Sequence, residues 1–168
     1  MKIIRIFAEN LFSFKFEAEE LNEYDRLLEI WNNPEYLVGF AERNKSYLKG
    51  CSLEDFVERV LEDALILEDT LKQYSKSLNM FFQPLDNNEM WARLLSLQKR
   101  RCRYLRLYAI KIDDNMFVVT GGAIKLTRTM SEHPDTVVEL TKMNRCKEYL
   151  KGLGIFDDQS FFETLEEI

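Results

Sequence analysis

Histidine is almost absent from this 168-residue chain, in which His133 is the only one. Imidazole is the usual protein ligand of zinc and haem iron, so most sites of these two kinds are excluded. The three cysteines, Cys51, Cys102 and Cys146, have no metal-ligand spacing, and their odd number argues against a disulfide framework. We therefore expect no metal and no other cofactor, and we expect a protein of the reducing cytoplasm.

Long apolar runs are also missing. The longest, such as residues 116–119, are far too short to span a bilayer, and the partly apolar start is interrupted by Glu9 before any small-residue cleavage site. We expect neither membrane insertion nor a signal peptide. With only 3 prolines and 6 glycines, 46% hydrophobic and 31% charged residues, the composition is that of a globular protein, and the length predicts a single domain over residues 1–168.

Charge is distributed unevenly along the chain, although the net charge is only -6. Residues 1–90 carry 10 Lys+Arg against 18 Asp+Glu, residues 91–151 carry 13 against 6, and residues 152–168 carry none against 5. An acidic half is thus followed by a basic segment and an acidic tail. This asymmetry suggests one surface for a polyanion, while the alternative is a set of solvated charges on helices.

Hydrophobic periodicity predicts an α+β fold in which an antiparallel sheet packs against several helices. Alternating side chains predict strands at 2–8 and 11–18, which pair as a hairpin with Asn10 at the turn. Spacings of three and four predict a long helix over 53–78, whose outer face is expected to carry Glu58, Glu62, Asp63, Glu68 and Asp69. Shorter helices are expected at 23–32, with Asn22 as its cap, and at 35–44, and residues 91–97 are expected to be helical or irregular.

The clearest element is a hairpin of residues 104–112 and 116–120, joined by Asp-Asp-Asn. Gly121 and Gly122 predict a bulge or bend, after which the strand resumes toward Thr127. A capping box of Thr136 and Glu139 predicts a last long helix over 137–151.

Basic residues are concentrated at this hairpin. Strand alternation places Tyr104, Arg106 and Tyr108 on one face of the sheet, which we expect to be an RNA surface where cations hold phosphate and rings stack on bases. The alternative is a basic strand that forms salt bridges with the acidic long helix. The RNA-binding candidates are Lys99, Arg100, Arg101, Arg103, Tyr104 and Lys111.

The stretch YLRLYAIKIDDNMFVVTGGAIKLTRT from Tyr104, with the helix that follows it, resembles the C-terminal core of RelE/HigB-type toxins, most closely the phage-protein-like branch. The resemblance covers about residues 93–150, so an enlarged N-terminal helical part precedes a RelE-like core. Gly121 stands at the family's glycine, Lys125 at one of its paired lysines, and Arg128-Thr129 at its Lys-Thr. The chain departs from the pattern at three positions: Gly122, Ile124 and Met130.

The resemblance implies a metal-free endoribonuclease that cuts messenger RNA by attack of a 2′-hydroxyl on the adjacent phosphate. It also implies RNA or the ribosome and a cognate antitoxin protein as partners, with no contact to DNA. Arg106 and Lys125 would stabilise the phosphate, Arg128 would assist them, and Tyr104 or Tyr108 would stack on a base or donate a proton. Histidine is the residue type best suited to a general base at neutral pH, so His133 is the candidate base, although its loop also suits a solvent-exposed histidine.

Two other functional classes remain to be weighed. A non-catalytic protein-interaction or RNA-binding domain with the same sheet is the alternative to the nuclease. A small-molecule enzyme is not supported, because the sequence contains no phosphate-binding glycine loop, metal cluster or catalytic triad.

Overall fold

The computed structural model describes residues 1–85, 93–97, 103–127 and 132–166, with the backbone alone described for 93–97. The fold is α+β, as the periodicity predicted. Its sheet has six strands in the order β1-β2-β6-β5-β4-β3. The strands are β1 (Lys2–Arg5), β2 (Leu11–Lys15), β3 (Phe82–Pro84), β4 (Arg93–Leu97), β5 (Leu105–Asp113) and β6 (Met116–Ile124).

Helices cover both faces of this sheet. Helices α1 (Glu23–Trp31), α2 (Pro34–Arg43) and α3 (Leu53–Gln73) pack on one face, where Leu105, Leu107 and Ala109 of β5 point. Helices α4 (Pro134–Gly152) and α5 (Asp158–Glu166) pack on the other face, against Tyr108 and Ile110. Because both faces are buried, β5 and β6 are nearly continuous apolar runs.

Both predicted hairpins are confirmed. Strands β1 and β2 pair antiparallel from Lys2 opposite Lys15, and β5 pairs antiparallel with β6 across a turn in which Asn115 has a φ of 58°. Asparagine tolerates this left-handed conformation better than most residues. The predicted bulge is also present: Tyr108 and Ala109 face Gly121 and Val119, so Thr120 is the extra residue of β6.

The predicted sheet was wrong in two respects. It is mixed rather than antiparallel, because Leu11 to Ser13 of β2 pair parallel with Phe117 to Val119 of β6. It is also wider, because residues 82–84 and 93–97 add two strands where a loop and an irregular or helical stretch were expected. Leu11 and Phe117 are far apart in the sequence, and such a pairing leaves no periodic signal within either strand.

Two helix boundaries also differ from the prediction. Helix α3 ends at Gln73, and a 3-10 helix (Ser75–Met80) continues the chain in place of the helical turn expected up to residue 78. Helix α4 begins at Pro134 rather than at residue 137, because the His133 side chain caps it by accepting from the N–H of Asp135. Proline suits the first helical turn, where its missing N–H is not needed.

Strand β6 has an open edge beyond its bulge. Strand β2 pairs with residues 117–119, so on that side Gly122 and Ile124 have no neighbour among the described strands. The Lys125 N–H donates to the Tyr104 carbonyl of the chain leading into β5 (2.8 Å). By antiparallel alternation, the peptide groups of Gly122 and Ile124 therefore point away from β5, toward the open edge.

We predict that Gly122→Ala destabilises the protein by on the order of 1–3 kcal/mol, as overpacking of a filled core does. An added Cβ at Gly122 would lie 2.7 Å from both the Arg106 carbonyl oxygen and the Trp31 ring. Urea denaturation measures the loss.

Gly152→Ala is the matched control, because nothing lies within 4 Å of an added Cβ at the end of α4. Its stability should be unchanged or slightly higher, since alanine favours a helix more than glycine does. Equal stability of the two variants would contradict the packing described at Gly122.

Candidate functional site

The face of β5 that carries Arg106 and Tyr108 is core rather than surface. Helix α4 covers it, and Arg106 and Tyr108 are only 6% and 1% exposed. The Nη1 atom of Arg106 donates to the Leu105 carbonyl (2.7 Å), and burial raises the pKa of Tyr108. The predicted RNA surface on this face was therefore wrong, because α4, thirty residues further along, packs over it.

Tyr104 lies on the opposite side from Arg106 and Tyr108. Its ring makes an edge contact with Phe56 of α3 at a centroid distance of 5.0 Å. Tyr104 precedes the first residue of β5, so strand alternation does not apply to it. The prediction that the three side chains share a face was wrong for this reason.

His133 is buried, in contrast to the exposed loop position that the sequence suggested. Its Nδ1 accepts from the N–H of Asp135 (3.1 Å), so Nε2 carries the proton and donates to Oδ1 of Asn44 (2.8 Å). Its ring also lies edge-on to Tyr47, with centroids 4.8 Å apart. Both ring nitrogens therefore form hydrogen bonds that connect the start of α4 with the end of α2. In this arrangement neither nitrogen is free to accept a proton from a substrate.

The remaining predicted residues do not share one place. Lys111 forms an ion pair with Asp114 (3.0 Å) at the hairpin turn, roughly 23 Å along the strand from Tyr104 at about 3.3 Å per residue. Arg128, Lys99, Arg100 and Arg101 lie outside the described residues.

Three of the predicted residues do come together. Arg103, Tyr104 and Lys125 line a depression of about 260 Å³, which we call the basic depression. The 3-10 helix Lys45–Tyr47 and the residues after it supply the rest of its wall. The other lining residues are Tyr47, Leu48, Lys49, Cys51 and Leu126. None of the eight is acidic, and Lys49 and Arg103 are exposed.

The two tyrosines give the basic depression an aromatic character. Tyr47 is 40% exposed, and the Arg103 guanidinium lies 5.3 Å from the centroid of the Tyr104 ring. Burial, followed by the neighbouring Cys51, raises the pKa of Tyr104, so its hydroxyl keeps its proton at neutral pH.

A buried carboxylate of α3 fixes the backbone at this site. The Asp63 oxygens accept from the N–H groups of Arg103 (3.0 Å), Tyr104 (2.6 Å) and Leu105 (3.1 Å). Burial raises the pKa of Asp63, while the N–H groups of Tyr104 and Leu105 and the charge of Arg106 oppose the shift. Sequence reasoning assigned Asp63 to the acidic outer face of the helix. Its spacing of three from Val60 could have shown that it belongs to the apolar stripe.

A second cluster of charges was not anticipated at all. Glu23 of α1 accepts two hydrogen bonds from Arg26 (2.9 and 3.0 Å) and one from Lys142 of α4 (2.8 Å), and Lys142 also contacts Glu139 (3.0 Å). Glu139 stands on the same helix stripe as Met143 and Cys146, a spacing that could have revealed its burial. The cluster joins helices on opposite faces of the sheet beside Gly121.

The two carboxylates of this cluster have opposite pKa shifts. Burial disfavours the charged form of Glu23, but Arg26 and Lys142 outweigh it and lower the pKa. Burial raises the pKa of Glu139, which Lys142 only partly offsets.

Within residues 1–85, 103–127 and 132–166, no group of three His, Cys, Asp or Glu side chains is arranged to hold a metal ion. None of the helices in the described part of the chain is long and apolar enough to cross a bilayer.

We predict that Asp63→Ala lowers the free energy of unfolding by at least about 2 kcal/mol, because it leaves buried N–H donors without an acceptor. The amides of residues 103–105 should also exchange with solvent faster. Urea denaturation and hydrogen exchange measure the two effects. Glu62→Ala, at the exposed neighbouring position, should change neither, and a similar loss in both variants would contradict the role assigned to Asp63.

Comparison of the chain with protein-family models, with curated proteins and with solved structures found no match.

Proposed function

We propose that this protein binds single-stranded RNA at the basic depression. The observation that carries the proposal is the convergence of Arg103, Lys125 and Lys49 with the rings of Tyr47 and Tyr104 on one depression whose described lining has no carboxylate. Cations attract phosphate, and aromatic rings stack on unpaired bases, so this combination suits a single strand.

The size of the depression suits contact with one nucleotide at a time. At about 260 Å³ it is smaller than a typical pocket for a drug-sized ligand, so we expect the strand to lie across it. The outer face of α3 carries the exposed acidic residues Glu58, Glu62 and Asp69, which repel phosphate. A polyanion is therefore steered toward the depression and away from that helix.

We propose further that the protein is a toxin-like endoribonuclease of the cytoplasm and cleaves the RNA that it binds. Its substrate would be messenger RNA at the ribosome, and an antitoxin protein would inhibit it. Lys125 and Arg103 would stabilise the charge that develops on the phosphate, and the protonated Tyr104 hydroxyl would supply a proton to the leaving 5′ oxygen. The described lining contains neither imidazole nor carboxylate. The 2′ proton would therefore pass to water, a weak base, while the 2′ oxygen bonds to phosphorus and the P–O5′ bond breaks. RNA binding is for this reason better supported than cleavage, and a non-catalytic RNA-binding protein is the second candidate.

We predict that Lys125→Ala weakens binding of a fluorescein-labelled RNA oligonucleotide roughly five-fold at 0.1 M salt, as loss of one phosphate contact on a single strand does. The slope of log K against log salt should fall by about 0.7. Fluorescence anisotropy measures both. Lys111→Ala is the control, because Lys111 lies at the opposite end of β5, and equal losses in the two variants would exclude the basic depression as the site.

The nuclease candidate predicts that RNA is cleaved in the presence of EDTA and acquires 2′,3′-cyclic phosphate ends, which mass spectrometry identifies. Tyr104→Phe should slow cleavage by roughly 10²-fold or more, the usual contribution of a positioned acid, while binding changes little because the ring is retained. If the wild-type protein binds RNA tightly but does not cleave it, the second candidate, a non-catalytic RNA-binding protein, is supported and the nuclease is excluded.

A further inference from the structure

A larger cavity lies beside strand β6. It has a volume of about 550 Å³, within the range of ligand pockets, and is bordered by α1 and α2 on one side and by the start of α4 on the other. Residues 122–124 of β6 line it between these helices. We call it the edge cavity. It is larger than the basic depression, at about 260 Å³, and has room for a whole nucleobase.

One side of helix α2 lines the edge cavity with rings and a cation. Its lining residues follow one another at spacings of four, three and four, which places them on the same side of the helix and of its 3-10 continuation. They are Tyr36, Phe40, Arg43 and Tyr47. Phe40 is buried, whereas Tyr36 and Tyr47 are 36% and 40% exposed. Because Arg43 is exposed as well, two rings and a guanidinium are accessible to a ligand in the cavity.

The guanidinium of Arg43 lies close to Tyr36. Its Nη1 atom is 3.4 Å from the position that a Cβ on Gly39 would take, so the side chain runs back along α2 over bare backbone. Residues three apart on a helix are surface neighbours, so a guanidinium at Gly39 is next to the Tyr36 side chain. The ion pairs of the described residues do not include Arg43. A cation beside an exposed ring is the combination that holds a phosphate and stacks a base in single-strand binding.

The carboxylates that line the edge cavity belong to α4, across the cavity from Arg43. Asp135 is exposed in the first turn of that helix. The Oε1 atom of Glu139 contacts Lys142 (3.0 Å), and its Oε2 atom is buried beside Gly121, so Glu139 offers no contact to a ligand. A phosphate is therefore attracted to the α2 side of the cavity rather than to the α4 side.

We propose that a single strand of RNA bound at the basic depression continues into the edge cavity, where one base stacks on Tyr36 and a phosphate binds Arg43. Tyr47 lines both cavities and joins the two sites. Each site combines a cation with a ring, which is Arg103 with Tyr104 in the basic depression. The inference rests on the proposed RNA function and extends it from one contact to a path along α2.

Fluorescence anisotropy with a fluorescein-labelled RNA of ten uridines separates the two new contacts by their salt dependence. We expect Tyr36→Ala to weaken binding roughly ten-fold, as loss of one stacked base does, and to leave the slope of log K against log salt unchanged. Arg43→Ala should weaken binding roughly five-fold at 0.1 M salt and lower that slope by about 0.7, because one phosphate contact is lost.

Phe156→Ala is the matched control. This ring is 62% exposed and lies near the hairpin turn, where the N–H of Asp158 donates to Asp113 (3.3 Å). The control should bind RNA as tightly as the wild-type protein, and so should Tyr36→Phe, which keeps the ring. Thermal denaturation verifies that each variant is folded, and if Tyr36→Ala is not, Arg43→Ala decides alone. Wild-type affinity in the folded alanine variants of the cavity, or an equal loss in Phe156→Ala, would overturn the inference.

Failure of the proposed function has a different signature. If Arg103→Ala and Lys125→Ala lose RNA affinity while Tyr36→Ala and Arg43→Ala keep it, the basic depression stands and the path into the edge cavity is refuted. If the reverse pattern is found, the contacts at Tyr36 and Arg43 stand and the basic depression is not an RNA site. If none of the four variants changes the affinity, both proposals are refuted.

Discussion

The contact of the Asp63 carboxylate with three consecutive N–H groups fixes the point at which β5 starts. It holds Arg103, Tyr104 and Leu105 against α3, so the chain enters the sheet in a single register relative to that helix. Two features of the protein depend on this register. Leu105 and Leu107 face the helical core, and Arg103 and Tyr104 are left at the edge, where they meet Lys125 and the residues after α2. A helix thus positions the basic depression, whose own side chains come from elsewhere in the sequence.

The short parallel pairing of β2 with β6 has a second consequence. Because β2 ends early, no described strand pairs with one edge of the far part of β6, which lies between helices that belong to opposite faces of the sheet. Ionic contacts connect those helices, and space remains beside the contacts. The side chains involved are Glu23, Arg26, Glu139 and Lys142. A cavity with polar backbone at its wall is the outcome, next to the basic depression and separated from it by Tyr47.

Local patterns predicted much of this fold but little of the site. Side-chain alternation and helical spacing depend on neighbouring residues, so both hairpins, the bulge before Gly122 and the Asn22 cap of α1 agree with expectation. The exposure of a strand side chain depends on what packs over that face of the sheet. Helix α4 covers Arg106 and Tyr108, and no local sequence pattern predicts where that helix packs. The burial of His133 has the same origin, since its partner Asn44 is 89 residues away. Arg103, Tyr104 and Lys125 were identified as RNA-binding or catalytic candidates from charge and ring type, although their common depression was not foreseen.

Photo-crosslinking tests the proposed contact of RNA with the basic depression. A single-stranded RNA carrying 4-thiouridine is irradiated with the full chain, and the linked peptides are identified by mass spectrometry. We expect crosslinks at Tyr47 and Tyr104, which disappear when Arg103 and Lys125 are both replaced by alanine. Crosslinks that persist in that variant, or that fall on the outer face of α3 or at the hairpin turn near Lys111, would contradict it.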